Sequence, residues 1–247
     1  LCDPAHTDAL EFDDGKLILG KMSSLAEVNW QSLVKRISEA DLKSLLEGLA
    51  MIACTNWTML PYMNTILEGL SGVLETCAHR PKVFVDLTDP RKRSPEDIAG
   101  VLQRMGSMQS VADMVLGLNE GESVQIAEVL LGRAVSDMTQ RAAEIRDELG
   151  LTMVMIHPVS SAGVACDEGH FFIEGPFCPK PKLTTGAGDN FNAGFCVGLL
   201  SGLSPEGCLA TGVCNSGFYV REMRSASRVE LLGFMRQWCE HDCPATY

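Results

Sequence analysis

A chain of 247 residues with 46% hydrophobic content can bury the core of one sizeable α/β domain. Twenty lysines and arginines against 32 aspartates and glutamates give a formal net charge of −12, so the surface as a whole repels nucleic acid and anionic membranes, and a polyanionic ligand needs a local positive pocket. Ten cysteines with no CxxC pair and no disulfide-scaffold spacing point to reduced thiols and a cytoplasmic protein, and no apolar run approaches the roughly 20 residues that span a bilayer.

In chain order, short β-like runs alternate with longer helical patterns, the arrangement of parallel strands joined by helical crossovers. The chain opens on Leu1 in abruptly polar, acidic sequence, which suggests that upstream sequence is missing. Phe12 to Leu19, around Asp14-Gly15, predicts a small hairpin belonging to a separate lid. Val28, Trp30, Leu33, Val34 and Ile37 fall largely at helical spacing, as do Met59, Met63, Ile66, Leu67, Leu70 and Leu74, and both stripes predict core faces. Strands are predicted at Leu49 to Cys54, Lys82 to Leu87, Met114 to Leu118 and Thr152 to His157; all are continuously apolar, as strands covered on both faces are. Helices are predicted at Pro95 to Met105, Ser123 to Leu131 and Ser136 to Leu149, the last stopped by Gly150. Gly163 to Asp167 and His170 to Glu174 flank a Glu168-Gly169 turn and predict an antiparallel hairpin. Pro176, Pro179 and Pro181 then hold the chain extended, and helices dominate from Asn190 to the end. Near the C-terminus, Cys239, His241 and Cys243 read as tail residues rather than a metal site.

Thr184-Thr185-Gly186-Ala187-Gly188-Asp189 carries the chemistry. Gly186, Ala187 and Gly188 have almost no side-chain bulk, and the helical pattern behind them aims backbone N–H groups and the positive end of a helix dipole at one point. Asp189 stands at that point, where a carboxylate can orient a hydroxyl and accept its proton as a bond to phosphorus forms. The bland alternative is an aspartate capping a helix after a flexible glycine turn.

The run from Thr184 to Phe195, Thr-Thr-Gly-Ala-Gly-Asp-Asn-Phe-Asn-Ala-Gly-Phe, resembles the C-terminal signature of the ribokinase-like or PfkB carbohydrate kinases. The resemblance implies that Asp189 is the catalytic base and that Gly186, Ala187 and Gly188, with Thr185, form the anion hole for a γ-phosphate. It implies a three-layer α/β/α sandwich around a mainly parallel sheet, N-terminally incomplete here, because nothing like the family's Gly-Gly-x-x-x-Asn occurs before Leu49. Residues 1–24 then read as a remnant of a lid or N-terminal region, and residues 25–247 as the nucleotide-binding and catalytic domain. One position departs from the pattern: Leu183 stands where the family usually has an Asp that ligates a monovalent cation, which puts that cation in doubt.

Asn119-Glu120-Gly121-Glu122 ends a predicted strand, and its spacing fits a helix cap with Asn119 at the N-cap and Glu122 three residues on. The same residues resemble the family's Asn-x-x-Glu motif, which organises Mg2+ and phosphate through water. Asp86 and Arg91 resemble a post-strand segment that touches phosphate or acceptor, although a solvated loop before Pro95 explains them equally. Asn56 and Trp57 follow another strand and can line an acceptor pocket, Trp57 by stacking on a sugar or ring, or simply pack in the core. Asn215 lies in a small-residue helix that resembles the adenine-site wall, and helix packing explains it too. His157-Pro158 reads as a structural strand end.

These features imply an ATP-dependent, Mg2+-requiring kinase that phosphorylates a hydroxyl of a sugar, nucleoside or related small molecule. Its partners are then a nucleotide and a small-molecule acceptor, with no nucleic acid or membrane. A homodimer through a lid sheet is compatible with Phe12 to Leu19. The rival is a nucleotide-binding or regulatory member of the fold without turnover.

Overall fold

The apolar runs become strands and the amphipathic stripes become helices in the computed structural model, which describes residues 1–12 and 15–241. They fall into two units, Leu1–Asp113 and Met114–Tyr247.

The first unit opens with an antiparallel pair, β1 (His6–Phe12) and β2 (Gly15–Lys21), in register from His6 opposite Lys21 to Phe12 opposite Gly15. The predicted hairpin therefore exists with longer arms, while its Asp14 lies outside the described residues. Leu10, Phe12, Leu17, Ile18 and Leu19 are exposed on it.

The stripe from Val28 to Ile37 is not one helix. It is a five-residue α1 (Trp30–Val34), and a new helix, α2 (Glu39–Leu46), starts where the Ser38 hydroxyl accepts the Asp41 N–H at 3.1 Å. The stripe is also only partly buried, because α1 presents none of its residues to the deep core and meets α3 (Met63–Leu74) through Trp30 on Gly69. A Cβ on Gly69 would stand 2.0 Å from that indole. The second stripe does face the core: Leu67, Leu70 and Leu74 are buried. Strands β3 (Met51–Cys54) and β4 (Lys82–Asp86) pair in parallel across the α3 crossover, and α4 (Pro95–Met108) follows, started by Ser94 and Pro95.

The second unit begins at the second residue of β5 (Asp113–Asn119) and continues with α5 (Glu120–Leu131), α6 (Met138–Leu149) and β6 (Met153–His157), with β5 and β6 parallel. Both helices start where an Asx side chain caps them, Asn119 and Asp137, which explains why α5 begins three residues before the predicted Ser123 and α6 two after Ser136. Gly150, at φ 62°, ends α6 in the left-handed conformation. The predicted hairpin follows as β7 (Ser161–Cys166) and β8 (Gly169–Glu174), with β7 antiparallel to both β6 and β8. Three helices complete the unit: α7 (Ala187–Leu200), α8 (Pro205–Glu222) and α9 (Arg228–His241).

Small residues let α7 and α8 meet backbone to backbone. A Cβ on Gly194 would stand 2.6 Å from the Thr211 carbonyl oxygen, one on Gly198 2.8 Å from Cys208 Cα, and one on Gly212 2.9 Å from the Phe191 ring. No helix among the described residues is long and apolar enough to cross a membrane, and the described cysteines form no disulfide.

Candidate active site at the start of helix α7

Gly186 is the N-cap of α7 at φ 91°, ψ 0°, a left-handed conformation that suits a residue without a Cβ. A second constraint acts on the same atom: a Cβ there would lie 2.8 Å from the Tyr219 hydroxyl oxygen, and that hydroxyl donates to the Thr185 carbonyl at 2.7 Å. The Gly186 carbonyl accepts both the Asn190 N–H at 3.0 Å and the Asn190 side-chain amide at 2.9 Å, which locks the first turn.

The first N–H groups of a helix have no partner within it. Ala187 gives its N–H to the Thr184 carbonyl at 3.1 Å, so the N–H groups of Gly188 and Asp189 are the pair the helix geometry presents at its mouth. The Asp189 side chain is exposed in this first turn. Leu183, with its hydrocarbon side chain, offers no ligand oxygen where a carboxylate would stand.

Two strand ends lie side by side in the same unit, since Asn119 at the end of β5 is in register with His157 at the end of β6. Asn119 Oδ1 accepts the Glu122 N–H at 2.9 Å and Glu122 Oε2 accepts the Asn119 N–H at 2.9 Å, a reciprocal capping box. The turn is anchored from α6 by Arg141, 1% exposed, which donates to Ser123 Oγ at 2.9 Å and to Glu120 Oε1 at 2.6 Å. Glu122 is buried at this turn.

His157 is partly buried with its ring stacked on Phe191, centroids 4.7 Å apart and planes 22° from parallel. Burial pushes the imidazole pKa down to about 4, against a weaker opposite pull from its own backbone, so the ring is neutral at physiological pH.

A cavity of about 320 Å³ opens beside these groups. Asn119, His157, Ala187 and Gly188 line it together with the apolar Pro176 and Val213. None of its lining residues carries a formal charge, and Ala187 and Gly188 bring the positive end of the α7 dipole to its wall. Such a lining suits a flat, uncharged ring. Asn215 is 7% exposed and absent from the cavity wall; its amide donates to the Asn190 carbonyl at 2.6 Å and so ties α8 to the first turn of α7.

The other predicted residues belong to the first unit, at the ends of β3 and β4. Asn56, at φ 63°, leads into a 3-10 turn over Trp57–Met59. Trp57 is 1% exposed, donates to Asn64 Oδ1 at 2.8 Å and lies 4.7 Å beneath the Arg93 guanidinium, so its ring acts as core. Asp86 Oδ1 accepts the Thr88 N–H at 2.8 Å and its hydroxyl at 3.0 Å, shaping the turn that follows β4. Arg91 is exposed and donates to Asp89 Oδ1 at 2.7 Å. Burial alone would raise the Asp89 pKa, but Arg91 and Lys92 outweigh it and hold that carboxyl below its usual range.

Sequence reasoning read His157 as a strand end and passed over Tyr219 and Gly212. His157 sits at the same strand edge as Asn119, and that shared edge was the available signal. The Tyr219–Thr185 contact spans 34 residues and left no local trace.

The model of a protein family described as prokaryotic ketohexokinase matches residues 1–238. A curated ketohexokinase from Haloferax volcanii is 27% identical over 243 residues, 98% of this chain and 64% of the relative, so the chain spans just under two thirds of that protein's length. Among solved structures, ribokinase from Thermotoga maritima superposes with a TM-score of 0.69 at 18% identity, covering 95% of this chain and 70% of that one. Adenosine kinase from Sinorhizobium meliloti gives 0.72 at 16% identity, covering 96% and 67%. The fold is therefore the ribokinase-like α/β fold, and the chain belongs to the prokaryotic ketohexokinase family.

Proposed function

We propose that this protein is an ATP-dependent cytoplasmic kinase that transfers the γ-phosphoryl group to a hydroxyl of a ketohexose. The observation that carries the reading is the juxtaposition at the start of α7: the first-turn backbone of Gly188 and Asp189, and an exposed Asp189 carboxylate, beside an uncharged cavity of about 320 Å³. The ketohexose is taken from the family and from the name of the haloarchaeal relative.

The chemistry follows from the donors present. The uncharged cavity receives the adenine ring, and the N–H groups of Gly188 and Asp189 stabilise charge on the transferred group. Asp189 orients the acceptor hydroxyl and takes its proton as the new oxygen–phosphorus bond forms and the bond to the ADP oxygen breaks. Among the described residues no group of three or more His, Cys, Asp or Glu can hold a metal, so an all-protein cage does not fit. A mostly hydrated Mg2+ carried by the nucleotide fits the amide and carboxylate at the end of β5: Asn119 and Glu122 would meet it through its waters, and Mg2+ would supply charge neutralisation of the phosphates.

The test is ATP consumption by the full chain with fructose and other ketohexoses, aldoses and nucleosides. The proposal expects turnover, fastest with a ketohexose, and formation of its monophosphate. ATP binding with no acceptor phosphorylated would instead favour a regulatory nucleotide-binding protein.

A further inference from the structure

We propose that His157 is a positioning residue for phosphoryl transfer, its ring acting as a brace that sets the α7 phosphate cradle through Phe191 and Gly188. The inference rests on the kinase reading above for its kinetic consequence, but its structural core is independent of it.

Two neighbours meet the ring. One face stacks on Phe191, which stands in the first turns of α7, is 3% exposed and stacks in turn on Phe195 at 6.3 Å. Gly212 of α8 stands so close to Phe191 that a Cβ would come within 2.9 Å of the ring. Phe191 thus packs against both the His157 imidazole and the α8 backbone. The edge of the imidazole faces the cradle itself: a side chain built on Gly188 would approach Cε1 to 3.3 Å. At its own end His157 is fixed by β6, in register with Asn119, whose capping box starts α5.

The strand edge and the helix mouth are therefore coupled through one planar side chain that also lines the cavity. A flat ring suits both contacts, whereas a branched aliphatic side chain of similar volume would fill the space without a stacking face. Because the ring stays uncharged at neutral pH, it braces the cradle without adding a fixed charge beside the phosphates. A displacement of about 1 Å in a transfer site costs on the order of a hundredfold in rate, so a loosened cradle is read in kcat rather than in nucleotide affinity.

The test compares His157→Leu, which keeps volume but loses the planar face, with His157→Phe, which keeps the face and loses the nitrogens. With ATP and the best acceptor, we expect kcat to fall about ten- to hundredfold in the Leu variant with KM for ATP within about threefold, and the Phe variant to recover to within about threefold of wild type. Hydrogen exchange provides a readout independent of turnover: the amides of Asn190 and Phe191 should exchange at least about tenfold faster in the Leu variant and not in the Phe variant. A Leu variant with wild-type kcat and exchange, or a Phe variant as impaired as Leu in both, overturns the proposal. Should wild type turn over no acceptor, the kinase reading fails while the exchange comparison still decides the brace.

Discussion

Replacing Gly186 with alanine tests two constraints at once, because the added methyl meets both a backbone penalty and the Tyr219 hydroxyl. Holding an L-residue in the left-handed region at φ 91° costs about 1–2 kcal/mol. The new Cβ would also sit 2.8 Å from Tyr219 Oη, which must move and so weaken its 2.7 Å bond to the Thr185 carbonyl, a further loss of about 1 kcal/mol. The expected destabilisation of Gly186→Ala is therefore about 2–3 kcal/mol. Tyr219→Phe removes the same hydrogen bond and the clashing oxygen, leaving a ring carbon 3.2 Å from the methyl position. The double variant should consequently cost less than the sum of the singles, by about 1 kcal/mol. Urea denaturation of the four proteins, with ATP turnover followed in parallel, measures the cycle. Additivity within about 0.3 kcal/mol, or a Gly186→Ala cost below about 0.5 kcal/mol, would refute the geometry described for this turn.

Gly212→Ala forces a methyl to 2.9 Å from the Phe191 ring and should destabilise by about 1–3 kcal/mol, seen as a lower denaturation midpoint. Asn119→Ala removes the side-chain acceptor of the α5 capping box and should cost about 1 kcal/mol in the same assay, whereas Asn119→Asp, which still accepts the Glu122 N–H, should cost less. His157 has a folded pKa of about 4 against an ordinary value of 6.5, so the unfolded chain binds the proton more readily. Its contribution to stability is complete above pH 6.5 and is lost as pH falls toward 4, amounting to about 2 kcal/mol between pH 7 and 5. His157→Phe should flatten that part of the pH–stability curve, and an unchanged slope would place the titration elsewhere.

Much of the second unit was legible because its signals are local. The run Met114 to Leu118 is apolar throughout and ends in a polar cluster, which is enough to place a buried strand and its polar end. Asn119 and Glu122 have the spacing of a capping box and form one. The small residues Gly186 to Gly188 announced a helix mouth, since the bulk they lack is bulk that Tyr219 and His157 exclude. Elsewhere the pattern misled. The stripe from Val28 to Ile37 has helical spacing, yet the Ser38 cap opens a second helix and leaves α1 a short surface element. Trp57 was readable as a stacking platform or as core, and its 1% exposure beneath Arg93, which lies 36 residues on, is not written in its own neighbourhood of sequence. Nor does composition reveal that the cavity is uncharged: a net charge of −12 says nothing of which side chains converge.

The central claim is that Asp189 accepts the proton of the acceptor hydroxyl at the mouth of α7. The most direct measurement is kcat of Asp189→Asn with ATP and the best acceptor, alongside its ATP Kd. Asn keeps the size and the polarity while removing the base, so kcat should fall about 10²–10⁴-fold with Kd within about threefold of wild type. A variant that turned over within tenfold of wild type would contradict the assignment.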